Sequence, residues 1–376
     1  MKFLIISDQY LPSTRSGSFI IDDLIQELLK RNHKITLITS GKENNSKKFK
    51  KNFKIIRINK LKSNYKNFIL KGINELYFFC KILIKLFSIK KNFDKIFIYS
   101  PPIFLGLLNL FFKRQRKILN IQDIFPQNAI DLKILKNFLL IYIMKKIEKY
   151  NYKISDKVLV NSLDAKKYLS KIYPEYKNKF IFNYNWNKFK KLRKIKYRKN
   201  KKFKFVFGGS IGPSQNLEKI IIPFKNLQNK CCLDIYGNGI LLKELKANLK
   251  LKKVKNIKIF KPVSNDLFTK KVDQYDSGLI TLSSRNSTPF IPGKFNFYCT
   301  NKKNITAIVH KNCDLNWIIK KNKLGFVTNA ESEDRITKFL NMVIKQKNTK
   351  KLNLNAFNFA KKNLDVVTFV NKFEKM

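Results

Sequence analysis

The chain has 376 residues, with 79 Lys or Arg against 25 Asp or Glu, a net charge of +54, and 44% hydrophobic residues including 33 Phe and 15 Tyr. That apolar and aromatic content excludes an intrinsically disordered polycation, and only 12 Gly and 10 Pro exclude collagen-like and low-complexity classes. The charge admits two readings: an anionic partner (membrane surface, nucleic acid or phosphorylated substrate), or a drift toward Lys, Asn, Ile and Phe that fills ordinary surface positions.

Met1-Lys2 leads into a short apolar run that ends in Ser7-Asp8, which is not the pattern of a secretory signal. Apolar, β-branched or aromatic runs then predict strands at 3–7, 35–39, 55–58, 96–100, 118–121 and 158–161. Helices are predicted between them, among others over 18–31 and 135–150. Short, fully apolar strands alternating with helices imply a parallel, doubly wound sheet buried on both faces. A basic stretch, 188–202, interrupts the pattern and reads as a linker. The rhythm restarts with strands at 203–207, 233–236, 257–260, 278–282, 305–309 and 326–327, and helices at 218–227 and 333–345. The expected fold class is α/β: two Rossmann-like, doubly wound domains facing across a cleft. The expected boundaries are 1–187, the linker 188–202, a second domain 203–355, and a C-terminal helix from 356 to 376 that packs back on the first domain.

No apolar stretch reaches the roughly 18 residues of a membrane-spanning helix. The longest, 103–112 and 138–144, run into Lys or Arg. Cys80, Cys231, Cys232, Cys299 and Cys313 are odd in number and form no Cys-x-x-Cys pair. A reducing cytoplasm, without disulfides or structural zinc, is the expectation.

Several segments can carry chemistry. After the first strand, Ser16 and Gly17 open a helix, where backbone amides can approach an anion or form a plain turn. Gln122 and Asp123 end the strand 118–121; Asp123 can act as a base, bind a sugar hydroxyl or cap the next helix. In the second domain Gly208, Gly209, Ser210 and Gly212 directly follow a strand and sit beside Gln215, a candidate phosphate cradle. Gly237 and Gly239 form a second glycine pair after a strand, and two such units favour a nucleotide-diphosphate site. Pro292 and Gly293 can start a helix whose amides, with Lys294 and Arg285, meet a phosphate. His33 and His310 have no evident partner, no Ser/His/Asp set can be nominated, and no metal site is expected.

With these segments the chain resembles bacterial family-4 glycosyltransferases of the GT-B fold over nearly its whole length. The opening MKFLIISDQYLPSTRSGSF with LLKRNHKITLIT, the segments SPPIFLGLL, NIQDIFPQNAIDL and FNYNWN, and the donor-side FGGSIGPSQNLEKII and DIYGNG carry the likeness. IPGKFNFY, followed by HKNCDL and LGFV, is similar to a subgroup that makes surface polysaccharide. The resemblance implies transfer of a sugar from a nucleotide diphosphate, usually with retention, without a cofactor. It places Gly208 to Gly212, Gln215 and Lys294 at the diphosphate, Gly237 and Gly239 under the nucleotide, Gly17 near the transferred sugar and Asp123 toward the acceptor. Asp123 and Lys294 are the catalytic candidates. UDP is the favoured nucleotide and a lipid-linked glycan the implied acceptor, met at the inner face of the cytoplasmic membrane in lipopolysaccharide, O-antigen or capsule assembly. The basic, aromatic segments 65–91 and 111–117 are the candidates for docking on anionic lipid.

The chain also departs from the family. The common Glu-x7-Glu acids fall at Pro289 and Phe297, and the phosphate-binding Arg and Lys of many members at Ser210 and Gln215. Gln122 lies near the place of a common His, TPFIPGK stands for THNIPGK, and Thr300-Asn301-Lys302-Lys303 replaces a turn of small residues. A second expectation is therefore an inactive member that binds glycan or scaffolds an assembly. No nucleic-acid-binding pattern supports the third, a nucleic-acid partner suggested by charge alone.

Overall fold

A computed structural model describes residues 1–13, 15–41, 51–61, 68–89, 92–189, 201–346 and 349–376. The chain divides into two compact units, one of Met1–Lys188, Thr288–Phe290 and Val366–Met376, the other of Phe189–Ser287 and Ile291–Asp365. Most of the expected linker, 190–200, lies outside the described residues.

The first unit holds a parallel sheet of β1 (Lys2–Ser7), β2 (Lys34–Ser40), β3 (Phe53–Ile58), β4 (Lys95–Ser100), β5 (Arg116–Ile121), β6 (Lys157–Val160) and β7 (Phe180–Phe182), in the order β3-β2-β1-β4-β5-β6-β7. The apolar runs form strands because helices cover both faces; Ile96, Phe97 and Ile98 have no exposed surface. The helices are α1 (Ser16–Lys30), α2 (Phe68–Phe87), α3 (Gln127–Asp131), α4 (Phe138–Ile154) and α5 (Leu163–Ile172), with a 3-10 helix at Ile103–Phe111. Against one face pack Phe78, Ile82 and Leu86 of α2, Leu105 and Leu108 of the 3-10 helix, Tyr152 of α4 and Leu169 of α5. Against the other packs α1, whose Ile20, Ile21, Leu24, Ile25 and Leu28 recur at helical spacing.

The second unit holds β8 (Phe203–Ser210), β9 (Cys231–Asn238), β10 (Ile257–Phe260), β11 (Ser277–Thr281), β12 (Ile305–Ile308) and β13 (Gly325–Thr328), parallel throughout, in the order β10-β9-β8-β11-β12-β13. Its helices are α6 (Ile221–Asn226), α7 (Leu242–Leu251), α8 (Asn265–Val272), α9 (Gly293–Thr300), α10 (Leu315–Lys321), α11 (Glu333–Ile344) and α12 (Thr349–Asn363). The core beside β8 is built from Phe205 and Phe207 with Phe224 of α6, Leu245 of α7 and Leu340 of α11. Phe295 of α9 meets Phe359 of α12 edge-on, with ring centroids 5.7 Å apart.

A last helix, α13 (Val366–Phe373), belongs to the first unit. Phe369 stacks on Trp186 at 3.6 Å and Phe373 on Phe3 at 5.5 Å. The Lys95 ammonium donates to the carbonyls of Phe373 and Glu374, and Arg31 pairs with Glu374 at 2.7 Å. The expected single C-terminal helix is thus two, α12 and α13, which go to different units. His33 also gains a partner that its sequence position did not suggest, with Nε2 2.6 Å from Glu374.

Candidate functional site

In the second unit the expected glycine turn after Phe207 is strand. β8 runs on through Gly208, Gly209 and Ser210, which pair with Tyr236, Gly237 and Asn238 of β9. The glycines are needed for close approach. A Cβ on Gly208 would collide with the Phe268 ring, one on Gly237 with the Gly209 carbonyl, and one on Gly239 with the Ile211 carbonyl. Gly209 has φ +131, a conformation that side chains rarely adopt. Gly237 and Gly239 are therefore spacers that let two backbones touch. Gly212 starts the turn proper, where Gln215 N–H donates to its carbonyl at 3.1 Å and the Gln215 side chain lies against it. This turn is tied to the neighbouring strand, since the Thr281 hydroxyl donates to the Gln215 carbonyl and Ser283 N–H to that of Ser214. The Ser210 side chain is exposed at the strand tip.

Lys294 lies at the second position of α9, after Gly293, where helical N–H groups have no intrahelical acceptor. Its ammonium sits 3.8 Å from the centre of the Phe207 ring and 3.9 Å from the point a Cβ on Gly209 would occupy. It has no hydrogen bond or carboxylate partner among the described residues, and burial pushes its pKa down to about 7. The arrangement is an unneutralised cation with free backbone amides, at the carboxyl end of a central strand, which can bind an anion. Arg285 is exposed, its N–H donating to Ser283 Oγ at 3.3 Å, and its guanidinium is not tied to the cradle. Pro289 is buried and Phe297 stacks on Phe268 at 5.0 Å, so apolar groups occupy both of these positions. Lys303, in the substituted turn, is buried and donates to the Tyr275 carbonyl; burial pushes its pKa down to about 8.

In the first unit Ser16 and Gly17 form the first turn of α1. Ser16 is exposed, while Gly17 is pressed by neighbours: a Cβ there would lie 2.6 Å from Gln9 Oε1 and 2.8 Å from the Tyr99 hydroxyl. Gln122 is bound in an amide network, with Nε2 2.7 Å from Asn120 Oδ1 and Oε1 2.6 Å from Asn185 Nδ2. Both ends of its amide hold β5 to the chain near 185, so it is a structural tie. Asp123 does not cap α3, whose N-cap is Pro126. Its side chain is accessible and carries no hydrogen bond or ion pair among the described residues. The surrounding protein raises its carboxyl pKa, and Lys71 draws it partly back.

Sequence reading missed the charges around this end of the sheet. Lys60 pairs with Asp8 at 2.5 Å, both largely buried. Glu75 of α2 lies 3.8 Å from Lys71, with its pKa raised by burial. Asp8 directly follows β1 and Lys60 follows β3, so their strand-tip positions were the available signal. Among the described residues no group of His, Cys, Asp or Glu could hold a metal, and no helix is long and apolar enough to cross a membrane.

No protein-family model matches the chain, and no curated protein matches it. Solved structures do match, and with the two parallel α/β units they define the fold as that of the GT-B glycosyltransferases. One match is WaaG, a glycosyltransferase involved in lipopolysaccharide biosynthesis, with TM-score 0.66, 13% identity, and 96% of this chain and 95% of that one covered. Another is Anabaena HepE in complex with UDP and glucose, with TM-score 0.70, 13% identity, and 100% and 98% covered. A third is the sucrose-phosphate synthase of Thermosynechococcus elongatus, with TM-score 0.75, 8% identity, and 100% and 98% covered.

Proposed function

We propose that the protein is a glycosyltransferase that moves a hexosyl or N-acetylaminosugar group from a nucleotide diphosphate, UDP by preference, to a lipid-linked glycan. The setting would be lipopolysaccharide, O-antigen or capsule assembly at the inner face of the cytoplasmic membrane. The observation that carries the reading is Lys294, an ammonium without a counter-ion among the described residues, held against Gly209 at the tip of β8 beside the first turn of α9. When the sugar leaves, negative charge develops on the diphosphate oxygen, and a fixed cation with free amides stabilises that oxygen most in the transition state. Transfer with retention through an oxocarbenium-like transition state needs little more than this on the donor side. Asp123, unpaired and with a raised pKa, would then orient the acceptor hydroxyl or take its proton. The fold shared with HepE, solved with UDP, and with WaaG supports the choice of donor and setting.

Calorimetry with UDP and GDP, together with a donor-hydrolysis screen, tests this. Binding of UDP, weakened about tenfold or more by Lys294→Ala, is expected for a charge-assisted contact. A second reading, a glycan-binding or scaffolding protein, is favoured by Pro289 and Phe297 in place of the acids. Failure to bind either nucleotide would select it.

A further inference from the structure

We propose that the outward faces of α2 and α4 form a docking surface for an anionic lipid bilayer. Both helices pack on the same side of the first sheet, with Phe78 and Ile82 of α2 and Tyr152 of α4 turned inward, yet each also carries apolar side chains on its outer face. On α2, Leu70, Ile73, Leu76, Ile84 and Phe87 recur at steps of three or four, joined by Cys80, and are all exposed, Phe87 to 75%. That is a second helical stripe on a helix whose first stripe already fills the core. On the first two turns of α4, Phe138 is 81% exposed and Leu139 61%, with Tyr142 and Ile143 beside them. The 3-10 helix packs beside both, and its Leu110 is exposed as well. Single exposed apolar side chains are ordinary on a soluble protein, but two neighbouring helices that each expose a row of them mark an interaction surface.

Charge selects the occupant. Lys71, Lys81 and Lys85 border the α2 stripe, and Lys145, Lys146, Lys149 and Lys153 follow the apolar turns of α4; all are exposed. The acids on these helices are Glu75, beside Lys71, and the buried Glu148. The core of a protein interface is depleted in lysine. A lysine rim around aromatic and aliphatic tips instead suits the headgroup boundary of an anionic membrane, where apolar tips enter and ammonium groups stay at the phosphates. The 65–91 segment nominated from sequence contains α2, while 65–67 and 90–91 lie outside the described residues. In the 111–117 segment Phe112 is core, Phe111 meets Phe87 edge-on at 5.6 Å, and Lys113 and Arg114 are exposed. The first turns of α4 join these segments. This surface deepens the transferase reading, on which it rests only for the acceptor it would meet.

Flotation of the full chain with phosphatidylcholine vesicles, with and without phosphatidylglycerol, tests the proposal. Binding should require phosphatidylglycerol and weaken several-fold in high salt. The pairs Phe138→Ser with Leu139→Ser, and Ile84→Ser with Phe87→Ser, should each reduce partition about tenfold or more, with an unchanged melting temperature. A tryptophan reporter, Phe138→Trp, should shift its emission to the blue on anionic vesicles. Equal binding of wild type and both pairs, or none by the wild type, overturns the proposal. So does a wild-type dimer in light scattering that the same pairs dissolve, which would make the face a contact between copies. UDP calorimetry on the same samples keeps the two readings apart, since vesicle binding without UDP binding refutes only the transferase, and the reverse refutes only the docking surface.

Discussion

The two sheets finish their strands in opposite ways. At the carboxyl ends of the first, side chains do the work: the Asp8–Lys60 pair, the amide network of Gln122, the crowding of Gly17 by Gln9 and Tyr99, and the unpaired Asp123. At those of the second, Gly209 and Gly237 let the main chains of β8 and β9 meet, and the Lys294 ammonium faces this bare backbone. A surface of amides suits a ligand of fixed chemistry such as a diphosphate. A surface of varied polar side chains suits a ligand of less regular chemistry.

The sharpest way to break this contrast is to give the second sheet a side chain. Gly237→Val would drive its Cβ into the Gly209 carbonyl, and since that atom is backbone the strands must part. UDP binding should be lost in calorimetry, with the unit destabilised by about 3 kcal/mol or more in denaturant. Trp186→Ala should cost the first unit about 3–5 kcal/mol by removing a buried ring stacked on Phe369, while UDP affinity stays within twofold. Next comes a pH dependence. Lys294 has a pKa near 7 when free, and a bound diphosphate holds its proton. UDP affinity should then fall by up to tenfold per unit above about pH 7, a slope that Lys294→Met abolishes. Asp123→Asn should lower turnover about tenfold or more with UDP affinity unchanged, which assigns it to the acceptor side.

A second pH effect lies in the first unit's interior. Glu148 accepts hydrogen bonds from Tyr152 and Tyr173, at 2.8 and 2.9 Å, with no ion pair among the described residues, and burial pushes its pKa up from 4.5 to about 7. The folded state therefore holds a proton that the unfolded chain has lost. The stability from this group is complete below about 4.5 and lost as pH rises through about 7. Glu148→Gln should raise stability at pH 8 by about 3 kcal/mol relative to its effect at pH 4, as read by thermal melts at the two pH values.

The architecture was legible because a doubly covered parallel strand must be apolar at every position. Ile96 to Ile98 and Leu279 to Ile280 announce themselves as strands in this way. β7, three residues at the sheet's edge, gave no run long enough to register. The end of β8 was misread for a physical reason. Glycine is poor in strands, and only the neighbouring glycine of β9 and the Phe268 ring make it necessary there. Lys294 was legible through IPGKF, but its lack of a counter-ion was not, nor was the engagement of Gln122, because both depend on partners distant in sequence. The single tail helix was a boundary error with a cause. Leu364 is buried like its helical neighbours, so the sequence pattern does not show that the helix stops at 364–365 and that its two parts pack on different units.

That break bears on how the molecule is made. The first unit's core is closed by Val366, Phe369, Val370 and Phe373, which follow the entire second unit in the chain. While the ribosome is still translating the second unit, Trp186, Phe3 and Phe97 await the rings that will cover them. The unit that is synthesised first is thus completed last. A nascent first half must hold an open aromatic face in check, by chaperone or by speed, until α13 arrives.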